Sequence, residues 1–104
     1  MKESDWKIFK KIKANALDLF CQNTLNDLKA VIEDSKQTHH ERYGEIYDLV
    51  HTQNKIMASL FDGHSRSNAG LQLMLMRQHK IANQTLIEKM SDETQANTKP
   101  MVFN

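Results

Sequence analysis

The fold is decided by residues 24–62, which read TLNDLKAVIEDSKQTHHERYGEIYDLVHTQNKIMASLFD. This stretch contains no proline and a single glycine, Gly44. Proline costs about 3 kcal/mol inside a helix, and an interior glycine costs about 1 kcal/mol. The chain has no proline before Pro100, and its only other glycines are Gly63 and Gly70. Because so little in the backbone interrupts a helix, the sequence predicts an all-α fold.

Apolar residues recur through the same stretch at helical spacing and partly fill a heptad pattern of the coiled-coil type. One continuous helix over residues 24–62 would be about 57 Å long, whereas a compact domain of this size has a radius of gyration of about 13 Å. The apolar stripe therefore needs either a second chain or a bend that folds it into a bundle. A bend is expected at residues 38–41, which match a capping box, or at Gly44.

Shorter helices are predicted on both sides of this long central helix. The first begins at Ser4 or Asp5, both good N-cap residues, and a kink is expected at residues 21–24, where the apolar face changes phase. A third helix is predicted over residues 69–79, and a last one over 83–90 with Asn83 as its cap. We expect a single helical domain over residues 1–91 and a mobile C-terminal tail over residues 92–104.

Composition excludes several classes of function. The chain has 104 residues, enough for one domain, and a formal charge of +1, so strong nucleic-acid binding is not expected. Its one cysteine, Cys21, cannot form an intrachain disulfide and suits a reducing compartment. No stretch approaches the ~18 apolar residues that span a bilayer. We therefore expect a cytoplasmic protein without a transmembrane segment.

No sequence motif supports catalysis or metal binding. Glu41, Glu45, Asp48 and His51 fall on neighbouring rows of a helix, but opposite its apolar stripe, and are interpreted as a solvated face. Asp62, His64 and Ser65 are the residue types of a hydrolase triad, yet side chains so close in sequence rarely reach the required geometry. We expect no catalytic residue, no metal, no cofactor and no enzymatic activity.

The turn at residues 62–68 is the candidate recognition site. Seven successive polar or glycine residues precede the most apolar predicted helix, more than helix capping requires. A turn beside outward-facing amides at a helix N-terminus can bind a carboxylate. The residues expected to bind a protein partner, whose identity the sequence does not give, are Arg66, His64, Ser65 and Asn68.

Self-association is the second expectation. The apolar stripe of the central helix and the apolar centre of the following helix are predicted to form a homodimer interface. Its residues are Ile46, Val50, Met57, Leu60, Leu71 and Met74. The sequence thus favours a non-enzymatic, self-associating helical interaction module with a regulatory or adaptor role.

Residues 6–12, WKIFKKI, are similar to the opening of cecropin-type antimicrobial peptides. The resemblance covers seven residues and implies a basic amphipathic helix that lies on an anionic membrane. The alternative function is therefore a peripheral module that binds an anionic surface, either membrane or nucleic acid, through Lys7, Lys10, Lys11 and Lys13. Packing of the apolar side of this helix against the rest of the chain is the competing interpretation.

Overall fold

The computed structural model describes residues 1–101 and contains five helices there and no strand. They are α1 (Glu3–Ile32), α2 (His39–Phe61), α3 (Arg66–Gln78), α4 (Gln84–Ile87) and α5 (Asp92–Asn97). The predicted all-α fold is confirmed. The longest helix is the N-terminal one rather than the central one. Residues 102–104 of the predicted tail lie outside the described residues.

Helix α1 runs through residues 21–24 without a break, so the predicted kink is wrong. The apolar face changes phase there because the helix changes packing partners. Before Cys21 it packs on the core through residues such as Ile12 and Ala16, and after it the contacts of α1 are with α2. Thr24 accepts a hydrogen bond from the Gln53 side chain at 3.0 Å and caps no helix.

The break in residues 24–62 lies at residues 33–38, between α1 and α2. Thr38 is the N-cap of α2, and the predicted capping box is present. Its hydroxyl accepts from the Glu41 amide at 3.1 Å, and the Glu41 carboxylate accepts from the Thr38 amide at 3.0 Å. Of the two bends considered, the capping box therefore marks the right one, and Gly44 lies inside α2.

The core lies at one end of the molecule, where α1 packs against the last turns of α2, against α3 and against α4. Phe20 meets Phe61 edge to face, with ring centroids 6.0 Å apart. Truncating one of the larger core side chains costs about 2–5 kcal/mol. The buried apolar residues are Phe9, Ile12, Ala16, Phe20, Leu60, Ala69, Leu73, Met76, Ile81, Ile87 and Met90.

The C-terminal segment closes this core. Asn83 caps α4 as predicted, since its side chain accepts from the Leu86 amide at 3.1 Å. Helix α5 occupies the first part of the segment that we expected to be a mobile tail, and Thr98 just after it is buried. The N-cap of α5 is Ser91, whose hydroxyl accepts from the Thr94 amide at 3.3 Å.

Residues 21–54 project from the core as a two-helix hairpin, which we call the arm; the rest of the chain is the body. No residue from 21 to 59 is fully buried. The projection gives the molecule extents of 52 × 28 × 23 Å and a radius of gyration of 16.4 Å. A compact domain of this length would have a radius near 13 Å. The arm is therefore held together by contacts between its own two helices.

Candidate functional site

The turn at residues 62–68 is fixed against the start of α1. Gly63 has φ +78°, the left-handed conformation that glycine adopts at the end of a helix. The His64 ring lies 5.0 Å from the Trp6 ring, and the Arg66 guanidinium lies 5.6 Å from the same ring. Lys13 donates to the Gly63 carbonyl oxygen at 2.7 Å. Burial lowers the pKa of Lys13, and the nearby Asp62 carboxylate opposes this shift.

The four residues predicted to bind a partner are all exposed, but much of their bonding capacity is used within the chain. Arg66 forms a salt bridge with Glu3. The Ser65 and Ser67 hydroxyls lie 3.0 Å apart, and Ser65 makes no side-chain capping bond to α3. The carboxylate that we expected a partner to supply to Arg66 is thus supplied by α1. The turn has a clear structural role in joining α3 to the N-terminus.

A polar cleft of about 490 Å³ opens beside this turn. Arg66 and Lys2 line it on one side, and Glu93 and Thr94 line it on the other. The lining has two cationic side chains and one carboxylate, but Arg66 is already paired with Glu3, which leaves Lys2 and Glu93 as charges of opposite sign in the cleft.

Asp5, which we predicted as a possible N-cap of the first helix, does not cap it. The N-cap of α1 is Lys2, and Asp5 is 1% exposed. Its carboxylate accepts from the Ser91 amide at 2.9 Å, the Ser91 hydroxyl at 2.6 Å and the Thr94 hydroxyl at 2.7 Å. Asp5 precedes Phe9, Ile12 and Ala16 at helical spacing and so shares their buried face. The periodicity of the sequence could therefore have predicted its burial.

Burial alone would raise the pKa of Asp5, because the charged form loses hydration. The hydrogen bonds from Ser91 and Thr94 outweigh that effect, so the pKa lies below its usual value. The carboxylate is ionised and saturated with donors. Such a group suits a structural link between α1 and α5 better than acid–base chemistry, which needs a free proton-exchanging oxygen.

Both helices of the arm expose apolar side chains, and Leu17 and Met57 extend this surface just beyond the arm. Tyr43 is 76% exposed, Tyr47 and Leu25 are each 65% exposed, and Ile32 is 55% exposed. Two adjoining grooves of about 340 and 180 Å³ share Val50 and Asn54 in their walls. We call this surface the apolar face, and it comprises Leu17, Cys21, Leu25, Ile32, Tyr43, Ile46, Tyr47, Val50 and Met57.

Three of the predicted dimer-interface residues, Ile46, Val50 and Met57, line these grooves. Leu60 is fully buried in the core of one chain, so its side chain is not offered to a second copy. Leu71 is exposed on α3 and Met74 is half-buried there; neither lines a groove of the arm. Leu25 and Ile32, which α1 adds to this surface, lie on the predicted apolar stripe but were not among the predicted interface residues, and Leu17 was not on that stripe.

The acidic row Glu41, Glu45, Asp48 and His51 lies on α2. Within residues 1–101 no three His, Cys, Asp or Glu side chains come close enough to hold a metal ion. Hydrogen bonds from Thr38 lower the pKa of Glu41, which belongs to the capping box. His51 stacks on Tyr47 with ring centroids 6.1 Å apart.

Two further findings bear on the class of protein. None of the helices in the described part of the chain is both long and apolar enough to cross a membrane. No protein-family model, curated protein or solved structure gives a significant match to this chain. The case for a function therefore rests on the arm and the turn themselves.

Proposed function

We propose that the chain is a non-enzymatic helical interaction module, with a regulatory or adaptor role, that self-associates through the apolar face of the arm. The supporting observation is the arm itself: a hairpin with no fully buried residue, which exposes large apolar side chains on both helices. Exposed apolar surface of this extent marks protein-binding sites in soluble proteins. The turn at residues 62–68 supports the proposal less, because Arg66 already has a carboxylate partner in Glu3.

The composition of the apolar face favours a protein surface as its occupant. Aromatic residues such as Tyr43 and Tyr47 are enriched at the centres of protein interfaces. The exposed tyrosines offer large contact area together with a hydroxyl that tolerates water. No Asp, Glu, Lys or Arg lines either groove of the face.

The test is the molecular mass in solution. Light scattering at micromolar concentration should give about twice 12.1 kDa. Val50→Asp should return the mass to that of the monomer, because a desolvated, unpaired carboxylate is costly at an interface. The matched control is Thr52→Asp, which adds the same charge two residues away at an exposed position that lines neither groove.

A wild-type protein that stays monomeric at high concentration would contradict the proposal. So would a Val50→Asp variant that keeps both its helical circular dichroism and its dimeric mass. If the Thr52→Asp control also lost the dimer, the added negative charge alone would explain the dissociation, and the apolar face would not be shown to form the interface.

The alternative function is binding to an anionic surface through the N-terminal lysines. Lys7, Lys10 and Lys11 are exposed, which favours it. Against it, Phe9 and Ile12 in the lysine-bearing N-terminal part of α1 are buried in the core, so this part of the helix has no free apolar side to insert into a membrane. Submicromolar binding to anionic vesicles or duplex DNA at physiological salt, lost in Lys10→Glu/Lys11→Glu, would put this alternative first.

A further inference from the structure

The apolar face is two helices wide and lies along the long axis of the molecule. On α1 it runs from Leu17 to Ile32, about 22 Å at 1.5 Å per residue. Two helix diameters make it about 20 Å wide. Pressing two such faces together buries about 880 Å² in total, slightly below the ~1,000 Å² of a specific, stable interface and in the range of weak, transient ones. The area is enough for a reversible dimer, and four helices packed in this way form a four-helix bundle.

Charge is distributed unevenly between the arm and the body. The arm holds six of the 13 acidic residues and three of the 14 Lys and Arg residues, a formal charge of −3. The rest of the chain therefore carries +4. If two copies lay parallel, arm would meet arm and body would meet body, and like charges would repel. If they lay antiparallel, the acidic tip of each arm, residues 33–41 with Glu33, Asp34 and Glu41 against one lysine, would lie beside the start of the body of the other copy.

An interface between two identical chains related by a two-fold axis must be complementary to itself. The centre of the apolar face is the groove where Leu25 of α1 lies beside Val50 of α2. With the two-fold axis at this point, each end of the apolar face covers the opposite end of the apolar face on the other copy. Ile32, near the tip, then lies over Leu17 of the second copy. The acidic tip of each arm approaches Lys10 and Lys11 of the other chain.

We infer that the partner of the apolar face is a second copy of this chain, docked antiparallel with the two-fold axis at Leu25 and Val50. The inference rests on the proposed self-association and adds its orientation and register. Lys10 is exposed on the same side of α1 as Leu17, seven residues earlier, so it borders the face where the partner's acidic tip arrives. The N-terminal lysines thus gain a role within the dimer.

Disulfide cross-linking tests the orientation. In a Cys21→Ser background, single cysteines replace the exposed residues Leu17, Leu25 and Ile32 in three separate variants, and each is oxidised with diamide. In the antiparallel dimer the Leu17→Cys positions of the two copies are about 24 Å apart, and the Ile32→Cys positions about 21 Å. A disulfide needs Cα atoms within about 7 Å.

We expect Leu25→Cys to form a covalent dimer by itself, and Leu17→Cys and Ile32→Cys to do so only when the two are mixed. A size tag on one variant identifies the mixed product. Self-linked dimers of Ile32→Cys would show a parallel arrangement and overturn the inference. A dimeric mass with no cross-link in any of these samples would overturn the placement of the axis.

Salt dependence gives an independent readout. Raising the salt from about 0.05 to 0.5 M shortens the Debye length from above 10 Å to below 5 Å. The antiparallel dimer should dissociate several-fold more readily in high salt, because the attraction between each acidic tip and Lys10 and Lys11 of the other copy is screened. A parallel dimer would instead be tightened. A monomeric mass at all concentrations overturns self-association itself, whereas a dimer that is unchanged or tighter in high salt overturns only the orientation.

Discussion

At the scale of single residues, Asp5 carries the most consequential interaction. A carboxylate that loses its hydration in a core is costly, and three donors from residues 91–94 offset that cost. The hydrogen bonds join the first turn of α1 to the start of α5, 86 residues later. The buried Asp5 carboxylate therefore links the C-terminal segment to the core through these hydrogen bonds.

Replacing Asp5 by Asn should destabilise the fold by about 2 kcal/mol at neutral pH, because hydrogen bonds to a charged group are lost and an amide donor faces the Ser91 amide. The pKa of Asp5 is lower in the folded chain than in the unfolded chain. Its stabilising contribution is therefore complete above the unfolded pKa and is lost as the pH falls through the folded pKa. Urea denaturation at several pH values measures the difference.

The wild-type and Asp5→Asn proteins should become similar in stability in strong acid. Asp18→Asn is the control, since Asp18 lies exposed on the same helix, and it should have little effect at any pH. A difference for Asp5→Asn that stays constant down to strong acid would show that the carboxylate charge is not what stabilises the link.

At the scale of elements, two glycines have opposite roles. Gly44 lies within α2, and a Cβ added there meets no atom within 4 Å. Gly63 follows α2 with φ +78°, where any side chain is strained. The first glycine weakens a helix, and the second allows the chain to turn back toward α1.

Gly44→Ala should therefore stabilise the protein by about 0.5–1 kcal/mol, because alanine loses less entropy in a helix. Gly63→Ala should destabilise it by about 1–2 kcal/mol through the left-handed backbone. Thermal denaturation at one protein concentration compares the two variants. Equal shifts of the same sign would mean that the backbone at Gly63 relaxes to another conformation.

At the scale of the whole molecule, the chain divides into a body with a core and an arm without one. Local opening is easiest where few apolar groups are buried. Amide hydrogens in residues 21–54 should therefore exchange faster than those of residues 9–20 and 69–76 in dilute solution. Mass-resolved hydrogen exchange checks this.

Concentrating the protein should slow exchange in the arm and leave the body unchanged, because self-association covers the apolar face. The Val50→Asp variant serves as the control, and its arm should exchange at the same fast rate at both concentrations. Uniform slow exchange along α1 and α2 in dilute protein would contradict the division into arm and body.

Local signals in the sequence determined the class of fold and several helix boundaries. The scarcity of proline and glycine settled the all-α fold, and Thr38 and Asn83 marked helix starts, because a cap depends only on residues three positions away. The apolar stripe of residues 24–62 predicted either a second chain or a bend; the bend is present, and part of the stripe, including Tyr43 and Val50, is exposed. The groove residues Ile46, Val50 and Met57 on α2 could also be predicted from the sequence, because they recur at helical spacing.

Only the tertiary structure decided which apolar and polar residues are buried. Gln72 is buried because its side chain donates to the Asp62 carbonyl oxygen at 2.7 Å, while its neighbour Leu71 is 58% exposed. Asp5 is buried because residues 91–94 fold back onto it, and α1 continues past Cys21 because α2 returns alongside. Each outcome depends on chain segments distant in sequence, and local periodicity carries no information on which segment packs against which.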